Sequence, residues 1–448
     1  MSNNKDTTPK KEEEQKVDKT PLPQHVQNSL DKKSFCSMST LAKTKTLKAP
    51  FPIRLTIPQL TFKFSEKFLE GYTIRDNGVY CNKKDVVEKQ SGIIKEVVIQ
   101  LTKSIWSGGV MSLSLPIRIF EPRSMLERIS DWFCFAPTLL TIAATTKNKV
   151  EALKHVISFS IGALFRSSEQ LKALNPMLGE TYQCEWPDGT KMYFEHTCHT
   201  PPVSHFYLKS GNNLFTVSGY LDMGMGGILK TMITNTMQII PKGKITVVLK
   251  PTKQTIAFQF PKITMGGALW GERYIYFSDH MKFEDRENNL KAVVAFANAR
   301  KELKGKRIHD IYGRIFNYDY MANKDTGEKF YVESMPSHPF PLHNKNIVSV
   351  ITGSWLENIK FDNKVYFDIK SEVPFQIYPS KDCLDSDARY REDKEWLQLS
   401  WEVKEKAKVY EEFAQAWKLA LEAQQRYERG LRKEYAEKKK INSALIIL

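Results

Sequence analysis

Between residues 191 and 369 the chain is written as a succession of short runs rich in β-branched and aromatic residues, and this constrains its fold more than any other feature. The runs are Lys191–Thr197, Ser204–Leu208, Lys244–Leu249, Thr255–Phe260, Tyr274–Phe277, Ala292–Phe296, Ile347–Ile351 and Lys364–Ile369. Turn formers such as Pro187-Asp188-Gly189, Gly211-Asn212-Asn213 and Asp362-Asn363 separate them. Many short strands in one continuous stretch predict an antiparallel sheet, and a sheet that large removes its exposed edges most easily by closing into a barrel. No internal repeat is present.

Helical patterns flank this stretch. A helical region is expected at roughly 124–170, and another at 94–105, where Ile94, Val97, Val98, Leu101 and Ile105 fall at helical spacing opposite Lys95, Glu96 and Lys103. That short amphipathic helix runs into Trp106-Ser-Gly-Gly109, a pair of glycines around which the chain can swing. Periodicity alone describes an ordinary helix docked on a core. From Trp401 to Lys440 there is no proline and a single glycine, Gly430, among strong helix formers, which predicts one long helix. On it Lys418, Glu422 and Arg426 are four residues apart and share a face. Taken alone they form a solvated charge ladder worth about 0.3–0.5 kcal/mol per pair. Residues 1–50 are polar, with no aromatic before Phe35, and are expected to be a disordered tail. Residues 51–90 hold several aromatics but no period, and no fold is assigned to them.

Composition narrows the function classes. The chain has 448 residues and a net charge of +15, which predicts an acidic partner, either an anionic membrane surface or nucleic acid. No recognisable nucleic-acid-binding module accompanies the charge, so the membrane reading is preferred. The six cysteines are scattered without a CxxC pair, and no apolar run approaches the roughly 18 residues needed to span a bilayer. The N-terminus lacks a signal-peptide core, and Ser2 stands where myristoylation needs glycine. A reduced cytoplasmic monomer, peripherally associated with intracellular membranes, is the expectation.

Two segments carry the chemistry: Leu174-Asn-Pro-Met-Leu-Gly-Glu180 and, some fifteen residues on, Glu195-His-Thr-Cys-His-Thr-Pro-Pro202. Together they resemble the LNPxLGE and EQVSHHPP signatures of the oxysterol-binding protein-related family of lipid-transfer proteins. Ser114-Leu-Pro-Ile-Arg-Ile-Phe-Glu-Pro-Arg-Ser-Met-Leu-Glu127 and Gly353-Ser-Trp-Leu-Glu-Asn-Ile359 resemble further segments of that domain, in the same order. The resemblance covers roughly residues 91–435. It implies an α+β fold: a large antiparallel, near-closed β-barrel around a lipid tunnel, within a lipid-binding domain spanning 91–448. A lid helix at about 91–110 and a long C-terminal helix at about 401–440 would complete it.

The resemblance also implies ligands and site residues. The cargo would be a sterol or phospholipid exchanged for phosphatidylinositol 4-phosphate, with no cofactor and no catalysis. Lys172, Asn175 and His199 would contact the phosphorylated head group from the two signatures. Lys418 and Arg426 would meet it from the long helix, with Glu422 orienting both cations. The chain departs from the family at Thr200, where the second His of the signature is expected. A hydroxyl donates one hydrogen bond but supplies no imidazolium charge, and losing about 1.5 kcal/mol would weaken phosphate binding about tenfold. In a regular strand His196 and Thr200 would share one face and His199 would point to the other. A zinc site built from His196, Cys198, His199 and His205 has the right ligand types but the wrong spacing. A lipid sensor or membrane tether without net transfer is the alternative within the same class.

Overall fold

A computed structural model of the chain describes residues 71–90 and 115–439, apart from 169, 200, 227, 268–269, 300–302, 324–345, 373, 376, 382–386 and 389–390. The polar tail, the proposed lid residues Ile94 to Ile105 and Thr200 therefore lie outside the described residues. In chain order the strands are Tyr72–Arg75 (β1), Gly78–Cys81 (β2), Phe120–Ser124 (β3), Lys172–Leu174 (β4), Thr181–Glu185 (β5), Lys191–His199 (β6) and Pro202–Lys209 (β7). They continue as Phe215–Met225 (β8), Thr236–Lys242 (β9), Ile245–Leu249 (β10), Gln254–Phe258 (β11), Lys262–Gly266 (β12) and Tyr274–Asp285 (β13). The last are Leu290–Phe296 (β14), Asp310–Asn317 (β15), Ile347–Ser354 (β16), Asn358–Phe361 (β17), Lys364–Asp368 (β18) and Tyr378–Pro379 (β19).

All but β3 and β4 belong to one sheet of 17 strands. Antiparallel pairing runs from β19 through β5, β6 and β7 to β8. It then divides: β8 pairs with β10 along one half of its length and with β9 along the other. The branches rejoin on the long strand β13, through β11 on one side and β12 on the other. From β13 the sheet continues through β14, β15, β16 and β17 to β18. The result is the near-closed barrel expected from the strand pattern.

The helical region sits inside this ring. It comprises Met125–Ser130 (α2), Thr141–Thr145 (α3) and Lys149–Gly162 (α4), with a 3-10 turn at Asp131–Phe133 and a π-helical turn at Ala136–Leu140 between the first two, and it follows Lys84–Gln90 (α1). Its aromatic side chains reach strands around the circumference: Phe133 packs 5.1 Å from Phe206 of β7, Phe159 6.4 Å from Phe258 of β11, and Phe135 5.0 Å from Phe367 of β18. Gly162 is needed for this fit, because a Cβ there would lie 2.8 Å from the Phe367 ring. One continuous core results, in which Leu153, Val156, Ile157, Phe159 and Ile161 are all fully buried. A helix buried all round in this way loses the polar face of a surface helix.

Two regions differ from the sequence reading. Residues 72–81, to which no fold is assigned from sequence, form the β1–β2 hairpin, and β2 pairs with β13 through Val79 and Tyr80. Strands of four residues are too short to display a period. The long C-terminal helix is present but starts later than expected. Glu392–Glu402 (α6) ends at Val403, and Ala407–Lys439 (α7) begins after one 3-10 turn; Ile228–Thr234 is α5. Val403 leaves helical geometry at φ −110°, ψ 80°. Intrinsic propensity favours continuation here, but folding back lets Trp396 pack on Tyr410 and Phe413 and buries Leu397 and Ala414 in one cluster with Phe120 and Leu174. No helix among the described residues is long and apolar enough to cross a membrane.

Candidate functional site: a cation cluster beside the barrel mouth

The two signature segments are hydrogen-bonded to each other. Gly179, at φ +78°, turns the first so that its N–H donates to the His196 carbonyl at 2.8 Å, and the His196 N–H donates to the Glu180 carbonyl at 2.9 Å. The Glu180 carboxylate is buried and anchors the turn: it accepts from the Met177 N–H, from the Ser124 hydroxyl and from Arg391. Arg391 also donates to the Asn175 carbonyl at 2.6 Å and forms a bidentate pair with Asp393. Burial opposes the Arg391 charge, but Asp393 and Glu180 outweigh it and hold the guanidinium protonated. Ser124 in turn caps α2 in a capping box with Glu127, whose carboxylate is bound by Lys394 at 2.6 Å. Every charge in this network is paired, as burial requires.

Lys172 stands apart from that rule. β4 lies parallel to β3 with Lys172 opposite Phe120, so the side chain crosses the Phe120 ring, its Nζ 4.7 Å from the centroid. Its ammonium donates to Asn175 Oδ1 and to the Ala173 carbonyl, two neutral acceptors. Lys418 of α7 also reaches this ring, 5.5 Å from its centroid, and pairs with Glu422 at 2.8 Å. Among the described residues no carboxylate lies within ion-pair distance of Lys172. Burial, reinforced by the charges of Lys418 and Arg391 and opposed by Glu422, pushes the Lys172 ammonium down to about 7. A half-buried cation beside two others and against an aromatic face is a site that a phosphate would relieve.

On the far side of the turn, His196 is buried and His199 exposed. The sequence reading places them on opposite faces of β6, and the structure corrects this. A bulge between His196 and Cys198 makes Thr197 an extra residue and re-aims the strand end. His196 Nε2 consequently lies 3.2 Å from His199 Nδ1, while its Nδ1 meets Ser204 at 2.9 Å. Burial and then the neighbouring His199 push His196 down to about 4. It is thus a neutral strut for His199 and not a second phosphate cation. His205 instead meets Thr197 at 2.8 Å and packs beside Tyr220, away from His196. Among the described residues no cluster of three or more His, Cys, Asp or Glu is placed to hold a metal.

Of the candidate residues, Lys172, Asn175, Lys418 and Glu422 are thus brought into one cluster, and Arg391, Glu180 and the His196 backbone link it to His199. Arg426 stands one turn further along α7 as an exposed side chain. Sequence reasoning missed Phe120 and Arg391. The first is an aromatic at a strand start; the second lies in a stretch without any period. The capping pattern Ser124-x-x-Glu127 was the one legible signal of this network.

The register shows where an apolar chain could enter. Val203 pairs with Asp222, Asp222 with Lys242, and Met225 with Ile239, so the end of the barrel at which the His199–Pro202 hairpin turns is also where β8, β9 and β12 meet. There Met223, Ile239 and Met265 pack against the core yet stay partly accessible, whereas Leu221, Ile263 and Ile275 are buried. A separate open cleft of about 390 Å³, lined by Lys230, Lys262, Tyr276 and Asp279 among others, includes neither Lys172 nor His199.

Comparison with known proteins places this architecture. The family model described as "Oxysterol-binding protein" matches residues 97–335. The chain is 27% identical over 347 residues to "Oxysterol-binding protein 9" of Dictyostelium discoideum, covering 75% of this chain and 77% of that protein. It is 24% identical over 259 residues to human "Oxysterol-binding protein-related protein 5", covering 56% of this chain but only 28% of that longer relative. Among solved structures it superposes on the Osh3 ORD in complex with PI(4)P from Saccharomyces cerevisiae with a TM-score of 0.55 at 18% identity, covering 81% of this chain and 89% of the other. The Osh1 ORD in complex with cholesterol matches with a TM-score of 0.55 at 16% identity, covering 80% and 88%. Because the family model spans more than half of the chain, the chain belongs to the oxysterol-binding protein family.

Proposed function

We propose that this protein binds one lipid at a time, enclosing its hydrocarbon part in the barrel, and transfers it between membranes in exchange for phosphatidylinositol 4-phosphate. The observation that carries the phosphoinositide half is Lys172: a cation held among cations, with no carboxylate at ion-pair distance among the described residues, beside the turn that carries Asn175. In this reading Lys172, Asn175 and Lys418 grip the phosphorylated head group and His199 contributes from the bulged strand. Glu422 orients Lys418, and Arg426 adds charge at the rim. Thr200 donates a single hydrogen bond where a second histidine is usual, which weakens the grip without abolishing it. Residues 94–105 close over the mouth.

Enclosure is required by magnitude. Exposing a chain of some sixteen methylenes to water costs on the order of 12 kcal/mol, so a carrier must cover it completely. The solved relatives bound to PI(4)P, ergosterol and cholesterol support both ligand classes. Mass spectrometry of lipids that co-purify with the native protein tests the reading. A sterol or phospholipid and a monophosphorylated phosphoinositide, each at no more than one per chain, is the expected result; protein free of lipid that takes up neither from vesicles would refute it.

A further inference from the structure

Two of the most exposed large apolar side chains among the described residues lie on adjoining segments. Ile233, at the end of α5, is 74% exposed, and Trp270, in the turn between β12 and β13, is 61% exposed. Asn235 joins the two segments: its side-chain amide donates to the Trp270 carbonyl at 2.9 Å and accepts from the Trp270 N–H at 3.2 Å. That reciprocal pair makes Asn235 act as a strand neighbour to the Trp270 backbone. The turn is further fixed by left-handed glycines on both sides of the tryptophan, Gly267 at φ +63° and Gly271 at φ +84°. A Cβ at Gly267 would lie 2.1 Å from the Glu272 carbonyl, so the fold-back admits no other residue. At its base Glu272 pairs with Arg75 of β1. The exposed aromatic is therefore held out by a built support.

Its position gives it a use. β9 begins at Thr236, directly after Asn235, and Thr236 pairs with Gly266 at the end of β12. The two apolar tips thus rise from the same barrel end at which Met223, Ile239 and Met265 are accessible and His199 turns. Lys230, exposed and one helical turn before Ile233, adds a positive charge beside them on a chain of net charge +15. A tryptophan flanked by an aliphatic and a lysine is the combination favoured at a bilayer interface, where the ring sits at head-group level and the ammonium stays with the phosphates.

We propose that Ile233 and Trp270 form a rigid apolar tip that inserts into the head-group layer of a membrane and seats the barrel mouth on it. The inference rests on the reading of this barrel as a lipid carrier. Sedimentation with phosphatidylcholine–phosphatidylserine vesicles tests it: Ile233→Ala with Trp270→Ala is expected to lower partitioning about tenfold or more. Partitioning equal to wild type would overturn the proposal and leave the tip as a surface for a protein partner. Because the double variant could be unstable, a second measurement uses Trp270→Phe with vesicles of brominated lipid. Wild-type fluorescence should be quenched on binding and this component lost in the variant, whereas quenching identical in both would also overturn insertion. Binding of a soluble short-chain phosphatidylinositol 4-phosphate by the wild type and the double variant separates the two readings. The double variant should bind it like the wild type, whereas absence of binding by the wild type would count against the head-group assignment alone and leave vesicle partitioning to decide the tip.

Discussion

Lys172 is a cation kept where a cation is costly, and its titration follows. Its ordinary value is near 10.4, and burial beside Lys418 and Arg391 brings it to about 7 in the fold. Between these values the unfolded chain holds a proton that the folded chain has released. Stability therefore falls as pH drops from about 10.4 to about 7, and below that the full cost persists. Lys172→Met should raise the melting temperature at pH 6, and by a smaller margin at pH 9, as followed by calorimetry. An equal or negative change at pH 6 would show that the ammonium is not strained. His196 behaves alike in a lower window: its stability contribution is present above about 6.5 and is lost as pH falls towards 4. At this scale the resemblance names Lys172, Asn175, Lys418 and Glu422, and the structure brings these four side chains into one cluster. The juxtaposition of His196 and His199 was not legible, because a bulge breaks the two-residue period on which facing is inferred.

At the scale of elements, strands with strong β-branched runs were readable, and those of four residues were not. The C-terminal helix shows the limit of propensity. Nothing in Trp401–Lys406 disfavours a helix, yet packing of Trp396 against Tyr410 and Phe413 bends the chain back at Val403. That fold places Lys418 over Phe120, where a straight helix from 401 would not need to. α1 is tied to the same helix, with Lys89 bonded to Glu411 at 2.9 Å and lying over Trp401. The lid proposed for residues 94–105 follows α1 in the chain and lies outside the described residues. Hydrogen exchange checks that lid: amides of 94–105 should be protected with lipid bound and exchange quickly without it. Equal protection in both states would make the helix a fixed part of the core.

For the whole molecule, the succession of short strands implied the barrel, while its interior could not be read from sequence. The helices from 125 to 162 carry a nearly continuous apolar surface, and only the tertiary structure shows them filling the ring between β7, β11 and β18. The end with the accessible Met223, Ile239 and Met265 side chains is the entrance in the proposed function. On the proposed function, head-group recognition, apolar enclosure and membrane seating share one end of the barrel, so that a lipid would pass between bilayer and interior without crossing water.

Transfer of phosphatidylinositol 4-phosphate and of sterol between vesicles, followed for the wild type and for Lys172→Ala, tests this account most directly. A lost charge-assisted bond of about 1.5–3 kcal/mol predicts phosphoinositide transfer slowed by roughly ten- to a hundredfold, with sterol transfer to acceptor vesicles free of phosphoinositide kept near wild type. Equal loss of both by a variant that keeps its fold would contradict a head-group site built around Lys172.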